Sequence, residues 1–99
     1  MEEDFTEAVL AFVERVPAGR VVTYGLIADH LAGAGHGGGA RQVGRVMSLE
    51  GAAVPWWRVV RANGTLPPHL VVDAQREWAR EATPVKRGRV DVAQAVWHP

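Results

Sequence analysis

The sequence predicts an α+β fold that is mainly helical and carries a small β-hairpin. Apolar residues recur at three- and four-residue spacing in several segments, which is typical of amphipathic helices. The β-branched stretches between these segments are short, so we expect no extensive sheet. A chain of 99 residues has the size of one domain with one modest core, so we expect a single domain over residues 1–99.

The first predicted element is an amphipathic helix over residues 3–15. Acidic residues separate the apolar positions, which are Phe5, Ala8, Val9, Phe12, Val13 and Val16. The helix is expected to end at Pro17-Ala18-Gly19 because this triplet is a strong turn signal.

Two further helices follow a short β-prone stretch at residues 21–23. One is predicted from Tyr24 to about Ala32 with Thr23 as its N-cap, and the other from Ala40 to about Glu50. Residues 33–39 lie between them and contain five glycines, too flexible a composition for helix or strand. Two short helices joined by a glycine-containing turn form the helix-turn-helix pattern.

In the second half of the chain, the apolar residues no longer follow the helical spacing of the first half. Residues 54–60 are β-branched and aromatic and are predicted to be extended, with a turn at Asn63-Gly64. Residues 66–69 contain two prolines and are predicted to form a rigid loop. Apolar residues at helical spacing predict a helix through about residue 81; they are Val71, Ala74, Trp78 and Ala82. Residues 85–90 are predicted to form a tight basic hairpin. A helix-turn-helix followed by a small hairpin is a winged-helix arrangement.

Charge is balanced overall but unevenly distributed. Eleven basic and eleven acidic residues give a formal net charge of zero, which argues against coating of nucleic acid through bulk charge. Residues 15–61 nevertheless hold six arginines against only Asp29 and Glu50. Arginine suits phosphate binding and stacking on bases. A genome-wide bias toward arginine and alanine explains the same composition equally well.

Several function classes are excluded by composition. The chain has no cysteine, and therefore no disulfide, thiolate metal site or sulfur nucleophile. No apolar run reaches about 18 residues and the first residues are acidic, so we expect a cytoplasmic protein without a membrane segment.

Metal, cofactor and triad chemistry are also not expected. The four histidines lack metal-ligand spacing. Glycines 33, 35 and 38 match a dinucleotide fingerprint, but no βαβ unit surrounds them. Ser48 is the only serine and lies on a predicted helix, which argues against a hydrolase triad.

Three ordered blocks carry a resemblance to a known family: residues 16–25 (VPAGRVVTYG), 40–44 (ARQVG) and 54–60 (VPWWRVV). They are similar to the signature blocks in the DNA-binding domain of O6-alkylguanine-DNA alkyltransferases. In an active enzyme of this kind the third block reads Pro-Cys-His-Arg-Val, and its cysteine accepts the alkyl group. Trp56 stands at that cysteine position and Trp57 at the histidine position. Alkyl transfer needs a thiolate, so the resemblance narrows to the non-catalytic alkyltransferase-like proteins. Val90-Asp91 and Trp97 also resemble the end of that subfamily's chain.

The resemblance implies a role for each matching position. Arg41 corresponds to an arginine finger that fills the gap left by an extruded base. The lesion pocket would include Tyr24, Trp56, Val59 and His69, with main-chain carbonyls near Trp56 and Val59 accepting from the guanine amino group. Arg58 would brace the site internally, and the DNA-backbone contacts would be Thr23, Gln42, Arg45 and Arg61.

The resemblance therefore implies a DNA-damage sensor. Such a protein binds the minor groove, flips O6-alkylguanine out of duplex DNA without alkyl transfer, and directs it to nucleotide excision repair. Its expected partners are duplex DNA containing O6-alkylguanine and the damage-recognition proteins of nucleotide excision repair, and it is expected to be a monomer without a cofactor. The alternative is a winged-helix transcriptional regulator that reads a specific operator in the major groove, commonly as a dimer. An enzyme acting on a flipped base would need an acid to activate water, and only Asp29 and Glu50 lie in the central segment.

Overall fold

The computed structural model describes residues 4–99 as a mainly helical fold with two small sheets. Its helices and strands follow the order α1 (Phe5–Arg15), β1 (Val22–Thr23), α2 (Tyr24–Gly33), α3 (Ala40–Glu50), β2 (Val59–Val60), α4 (Val71–Glu81), β3 (Val85–Lys86), β4 (Arg89–Val90) and α5 (Val92–Ala95). The predicted fold class and the predicted helices α1 to α4 are confirmed. The predicted first residue of α1, Glu3, lies outside the described residues.

The helix-turn-helix is formed by α2 and α3, which pack against each other and against α1. Thr23 caps α2 as predicted, because its hydroxyl oxygen accepts a hydrogen bond from the Leu26 N–H at 3.1 Å. The connector predicted at residues 33–39 contains neither helix nor strand from residue 34 onward, whereas Gly33 is the last residue of α2. A Cβ atom at Gly38 would lie 2.6 Å from the Phe5 ring, so any larger residue would require this ring to move.

The predicted hairpin is present as the antiparallel pair β3–β4. Its two turn residues, Arg87 and Gly88, both have positive φ angles of 56° and 79°. This is the conformation of a type I′ turn, whose twist matches that of the flanking strands. The second sheet was not predicted: β1 and β2 pair in parallel, with Val22 opposite Val59 and Thr23 opposite Val60.

The prediction that residues 54–60 are extended is wrong at their centre. Trp56–Arg58 form one turn of 3-10 helix, closed by hydrogen bonds from the Arg58 N–H to the Pro55 carbonyl and from the Val59 N–H to the Trp56 carbonyl. Local β-propensity is overridden here by long-range contacts of Arg58, described below. Only Val59–Val60 form a strand.

The proline-rich loop and the last predicted helix also differ in detail. Pro68–Leu70 form another 3-10 turn that leads directly into α4. Of the apolar residues that predicted this helix, Ala74 and Trp78 are buried, but Ala82 lies beyond the helix in a left-handed conformation at φ 57°.

Two hydrophobic clusters meet at the β1–β2 pair. The first lies between α1, α2 and α3 and includes Val22 and Val59. The second lies under α4 and includes Val21, Val60 and Trp78. Because side chains alternate along extended backbone, β2 contributes one valine to each cluster, and so do Val22 of β1 and Val21 directly before it.

No helix within residues 4–99 is both long and apolar enough to cross a membrane.

Candidate functional site

A cavity of about 270 Å³ lies beside the helix-turn-helix. Its wall combines the start of α2, one face of α3, the Trp56 turn and the proline-rich loop. The lining residues are Tyr24, Gly44, Met47, Ser48, Gly51, Ala52, Trp56, Leu66, Pro67, His69 and Leu70. The volume is close to the lower end of small-ligand sites, roughly 300 Å³, so the cavity suits a single planar ring system rather than a large ligand.

The α3 wall follows from helical spacing. Met47 and Ser48 follow Gly44 by three and four residues, and Gly51 follows them at the same two spacings, so all four share one face. A Cβ atom at Gly44 would lie 3.9 Å from the Tyr24 ring, an ordinary van der Waals distance, so α3 passes directly beside this ring. Sequence reasoning missed this face, although the spacing from Gly44 onward could have indicated it. Of the proline-rich loop, only His69 was among the predicted site residues, and the structure adds the apolar residues Leu66, Pro67 and Leu70.

Tyr24 lies at the first position of α2, on the cavity wall, and is half-buried. Burial raises the pKa of Tyr24 above its ordinary value of 10.0, and the nearby Arg61 guanidinium lowers it by less. The hydroxyl is therefore protonated at neutral pH and can donate a hydrogen bond to a ligand.

Trp56 places a second aromatic ring on the same cavity. Its ring meets the Trp57 ring edge to face, with centroids 5.6 Å apart. The Trp56 carbonyl already accepts the Val59 N–H and keeps one lone pair for a further donor. The Val59 side chain is fully buried in the first cluster and does not line the cavity, so only its main chain remains a candidate for ligand contact.

A buried ion pair between Arg58 and Glu81 holds the Trp56 turn in place. The side chains of Arg58 and Glu81 are 16% and 2% exposed, and the guanidinium donates to both carboxylate oxygens, with Nε 3.0 Å from Oε1. Arg58 also donates to the Val16 carbonyl at 2.9 Å, and Glu81 accepts from the Gly19 N–H at 3.1 Å. The pair thus joins the Trp56 turn to the segment after α1 and to α4. Sequence reasoning missed Glu81 because nothing distinguishes it from the other acids of α4.

Hydrogen bonds decide the ionisation of Glu81. Burial by itself raises the pKa of the carboxyl, but hydrogen bonds from Arg58 and the Gly19 N–H, the nearby Trp57 indole N–H and the charge of Arg58 together hold it below its usual 4.5. The Trp57 indole N–H lies close to this carboxylate without full hydrogen-bond geometry, and it forms no hydrogen bond with any other group in residues 4–99. The Trp57 carbonyl accepts from the Trp78 indole at 2.8 Å.

The remaining predicted residues lie on the surface around the cavity. His69 is exposed at the rim, in the 3-10 turn before α4. Arg41 and Arg45 are exposed one turn apart on α3, and Arg61 is exposed beside Tyr24. Within residues 4–99, none of these three arginines forms an ion pair.

Gln42 and Thr23 both cap helices and keep a donor free. The Gln42 amide oxygen accepts from the Gly39 N–H at 2.9 Å at the start of α3, which leaves its NH₂ group available. The Thr23 oxygen accepts at the start of α2, so its hydroxyl hydrogen is still available.

The chemistry of the cavity is that of a binding site. In the described part of the chain, the polar side chains on its wall belong to Tyr24, Ser48 and His69, and no Asp or Glu lines it. No cluster of three His, Asp or Glu residues within 4–99 could hold a metal ion. Two aromatic rings with few polar groups favour a flat, partly apolar ligand. The fold and this cavity together define a helix-turn-helix protein with an aromatic pocket at the edge of its basic α3 surface.

Comparison with known proteins identifies the family. Residues 4–87 match the family model of the 6-O-methylguanine DNA methyltransferase, DNA binding domain. The "DNA base-flipping protein" of Escherichia coli K12 is 35% identical over 102 residues, covering 98% of this chain and 77% of the relative. A protein of the same name from Vibrio parahaemolyticus is 36% identical over 66 residues, covering 65% and 63% of the two chains.

Solved structures agree with this assignment. The crystal structure of S. pombe Atl1 in complex with damaged DNA containing O6-carboxymethylguanine superposes with a TM-score of 0.79 at 27% identity, with both chains fully covered. A second structure of the S. pombe protein with DNA gives a TM-score of 0.71 at 29% identity and the same coverage. The chain belongs to the family of the 6-O-methylguanine DNA methyltransferase DNA-binding domain, and within it is an alkyltransferase-like protein. Its base-flipping and Atl1-like relatives point to a non-catalytic member.

Proposed function

We propose that this protein is a DNA-damage sensor that binds duplex DNA, flips O6-alkylguanine into the cavity and holds it there without alkyl transfer. The observation that carries the proposal is the cavity walled by Tyr24 and Trp56 beside α3, in a chain with no cysteine. Relatives that are named for base flipping, or were solved with damaged DNA, support the same activity.

The aromatic wall supplies the energy to hold an extruded base. Stacking of a base on an aromatic side chain contributes about 1–3 kcal/mol, and extrusion costs a few kcal/mol. A lesion that already pairs poorly is cheaper to extrude than guanine, so a modest pocket energy is sufficient for selectivity. The Tyr24 hydroxyl and the main-chain carbonyls of the Trp56 turn would orient the base.

The exposed arginines suit two different tasks in this proposal. Arg41, at the second position of α3, would enter the duplex from the minor groove and occupy the space of the flipped base. Arg45, Arg61, Gln42 and Thr23 would contact phosphates, which position the protein and carry no sequence information. Arg58 takes no direct part, since its guanidinium is used by Glu81 and Val16.

The held lesion would then be passed to nucleotide excision repair. Trp56 stands where the alkyltransferase resemblance places the acceptor cysteine, and an indole ring is not a comparable nucleophile. A protein that binds a lesion and cannot remove it needs a second system to excise it. We propose that the bound complex marks the site for the damage-recognition proteins of that pathway.

Fluorescence anisotropy on matched duplexes tests the sensor proposal. Duplexes with guanine or O6-methylguanine in several flanking sequences are titrated with the parent protein, Arg41→Ala and Arg45→Ala. We expect tighter binding of the parent to the lesion in every context. Arg41→Ala should lose most of this preference, whereas Arg45→Ala should weaken binding to both duplexes alike. Nucleoside analysis should recover the methyl group on the DNA.

Two results would contradict the proposal. Equal affinity of the parent for both duplexes would remove the sensing function. A preference that follows the flanking sequence would favour a sequence-specific regulator of transcription instead.

A further inference from the structure

The β3–β4 hairpin carries three exposed cations that the cavity does not use. Lys86, Arg87 and Arg89 are all exposed. None of them forms an ion pair with any residue between 4 and 99. These side chains are therefore available to an anionic partner.

The cations border an open polar groove of about 420 Å³. Its other lining residues are Ala62, Asn63, Val90, Asp91, Val92 and Ala93. Asp91 is the one carboxylate on this groove in the described chain, and it already accepts a hydrogen bond from the Gln94 amide at 2.8 Å. The groove thus presents an excess of positive charge.

The hairpin is fixed in place by its backbone. The Val90 N–H donates to the Gly64 carbonyl at 3.1 Å, and the Asp91 N–H donates to the Pro84 carbonyl at 2.9 Å. A Cβ atom at Gly64 would lie 2.0 Å from the Val90 carbonyl oxygen, so the turn at 61–65 and the hairpin are in direct contact. A charged surface on a fixed hairpin can engage a partner with little further ordering.

The hairpin is also connected to the cavity surface. Arg61, at one end of the 61–65 turn, acts on Tyr24, and the turn leads on to the cavity residues Leu66 and Pro67. The other side of the same turn contacts the hairpin. Cationic groups therefore extend from Arg61 beside the cavity to the hairpin.

The residue type at the hairpin tip is not the one that the turn favours. Arg87 occupies the first central position of a type I′ turn, at φ 56°, where asparagine before glycine is strongly preferred. A long arginine at positive φ is disfavoured. Turn geometry does not explain the charge at this position, whereas a contact with an anion would.

We propose that the hairpin is a second DNA-backbone contact, which binds phosphates of the duplex to one side of the flipped nucleotide. This inference rests on the proposed function, because it assumes that α3 and the cavity are placed on duplex DNA. Arginine and lysine are the side chains that bind phosphate oxygens most strongly.

The salt dependence of DNA binding tests this contact. Anisotropy titrations over a salt series, on a duplex of about two helical turns carrying O6-methylguanine, compare the parent with Lys86→Gln/Arg87→Asn. The asparagine restores the preferred Asn-Gly turn, so a loss of affinity cannot come from a weakened hairpin. The control is Arg15→Gln/Arg76→Gln, which removes the same charge from α1 and α4.

The logarithm of the binding constant falls with the logarithm of the salt concentration. In the hairpin variant this fall should become less steep, by about 0.9 in the slope for each phosphate that the protein no longer neutralises. The ratio of affinities for lesion and unmodified duplexes should stay at the parent value. The control should keep the parent slope.

An unchanged slope in the hairpin variant, or an equal fall in the control, would overturn the inference. The cations would then serve another partner, such as an acidic protein segment. The proposed function has its own test, because it fails if the parent binds lesion and unmodified duplexes equally. Even then, a weaker salt dependence of DNA binding in the hairpin variant would support the hairpin contact.

Discussion

At the residue scale, Trp56 determines what the cavity can do. Its indole ring is one of the two large aromatic rings that line the cavity, and we expect a flat ligand to stack on it. The 3-10 turn and the Trp57 ring behind it fix this position. A stacking surface that is already in place loses little entropy when the ligand arrives.

We expect Trp56→Ala to weaken binding to an O6-methylguanine duplex by roughly 5- to 150-fold, which corresponds to about 1–3 kcal/mol of stacking energy. Trp56→Phe keeps a π-face and should weaken binding much less. Affinity for unmodified duplex should change little in either variant, because that complex leaves the base stacked in the DNA. Equal lesion affinity for the parent and for a folded Trp56→Ala protein would show that the base does not bind at this ring.

Among the residues that line the cavity, sequence reasoning named the aromatic side chains and missed the others. Tyr24 and Trp56 were found through motif blocks, and the structure brings both to one cavity together with His69. Met47 and Ser48 were missed because the sequence reasoning on α3 considered its exposed arginines and not the helix face that carries these two residues. Leu66 and Leu70 approach the cavity only through tertiary packing, which no local pattern encodes.

At the element scale, the Arg58–Glu81 ion pair connects the Trp56 turn to residues that are distant in sequence. The partners lie 23 residues apart, and Arg58 also reaches the Val16 carbonyl 42 residues away. Helix periodicity is a local signal, so α1 to α4 were predicted. The 3-10 turn and the parallel β1–β2 pair depend on distant residues, so they were not.

Glu81→Gln should lower the free energy of unfolding by roughly 3 kcal/mol at neutral pH, because it leaves the Arg58 charge buried without its partner. Glu77→Gln on the same helix removes a more exposed partner of Arg80 and should cost less than about 1 kcal/mol. Urea unfolding of both variants and the parent measures the difference. Equal effects would show that burial adds nothing to the Arg58 pair.

The same pair predicts a pH dependence. The pKa of Glu81 is lower in the folded protein than its usual 4.5, so its contribution to stability is fully present above that value. The contribution disappears as the pH falls through the folded pKa. Urea unfolding from neutral pH down to about pH 3 should therefore show a steeper loss of stability for the parent than for Glu81→Gln. Parallel pH profiles would contradict this assignment.

At the scale of the whole molecule, two hydrophobic clusters share the short β1–β2 pair. Val22 and Val59 belong to one cluster and Val21 and Val60 to the other. Neither cluster can lose these strands without exposing apolar surface of its neighbour. We therefore expect the chain to unfold as one cooperative unit, in keeping with the prediction of a single domain.

Two spectroscopic probes check this expectation. Far-ultraviolet circular dichroism reports on all helices. Tryptophan fluorescence is weighted toward the second cluster, because three of the four tryptophans (Trp56, Trp57 and Trp78) pack in or against it, whereas Trp97 packs against the first. Their urea midpoints should coincide in the parent. They should also shift together in Gly64→Ala, which would force a Cβ against the Val90 carbonyl. Separate midpoints would mean that the two clusters unfold independently.

The glycine-rich connector between α2 and α3 has a consequence for how the family can vary. The connector supplies no residue to the cavity, and the two helices are held by direct packing on each other and on α1. Lengthening a flexible loop costs little, about 0.6 kcal/mol for each doubling. Insertions and deletions before Gly38 should therefore be tolerated over evolution without moving Tyr24 relative to Trp56. One extra residue in β1 or β2, by contrast, would shift the strand register that sets the position of Tyr24, directly after β1, relative to Trp56, shortly before β2.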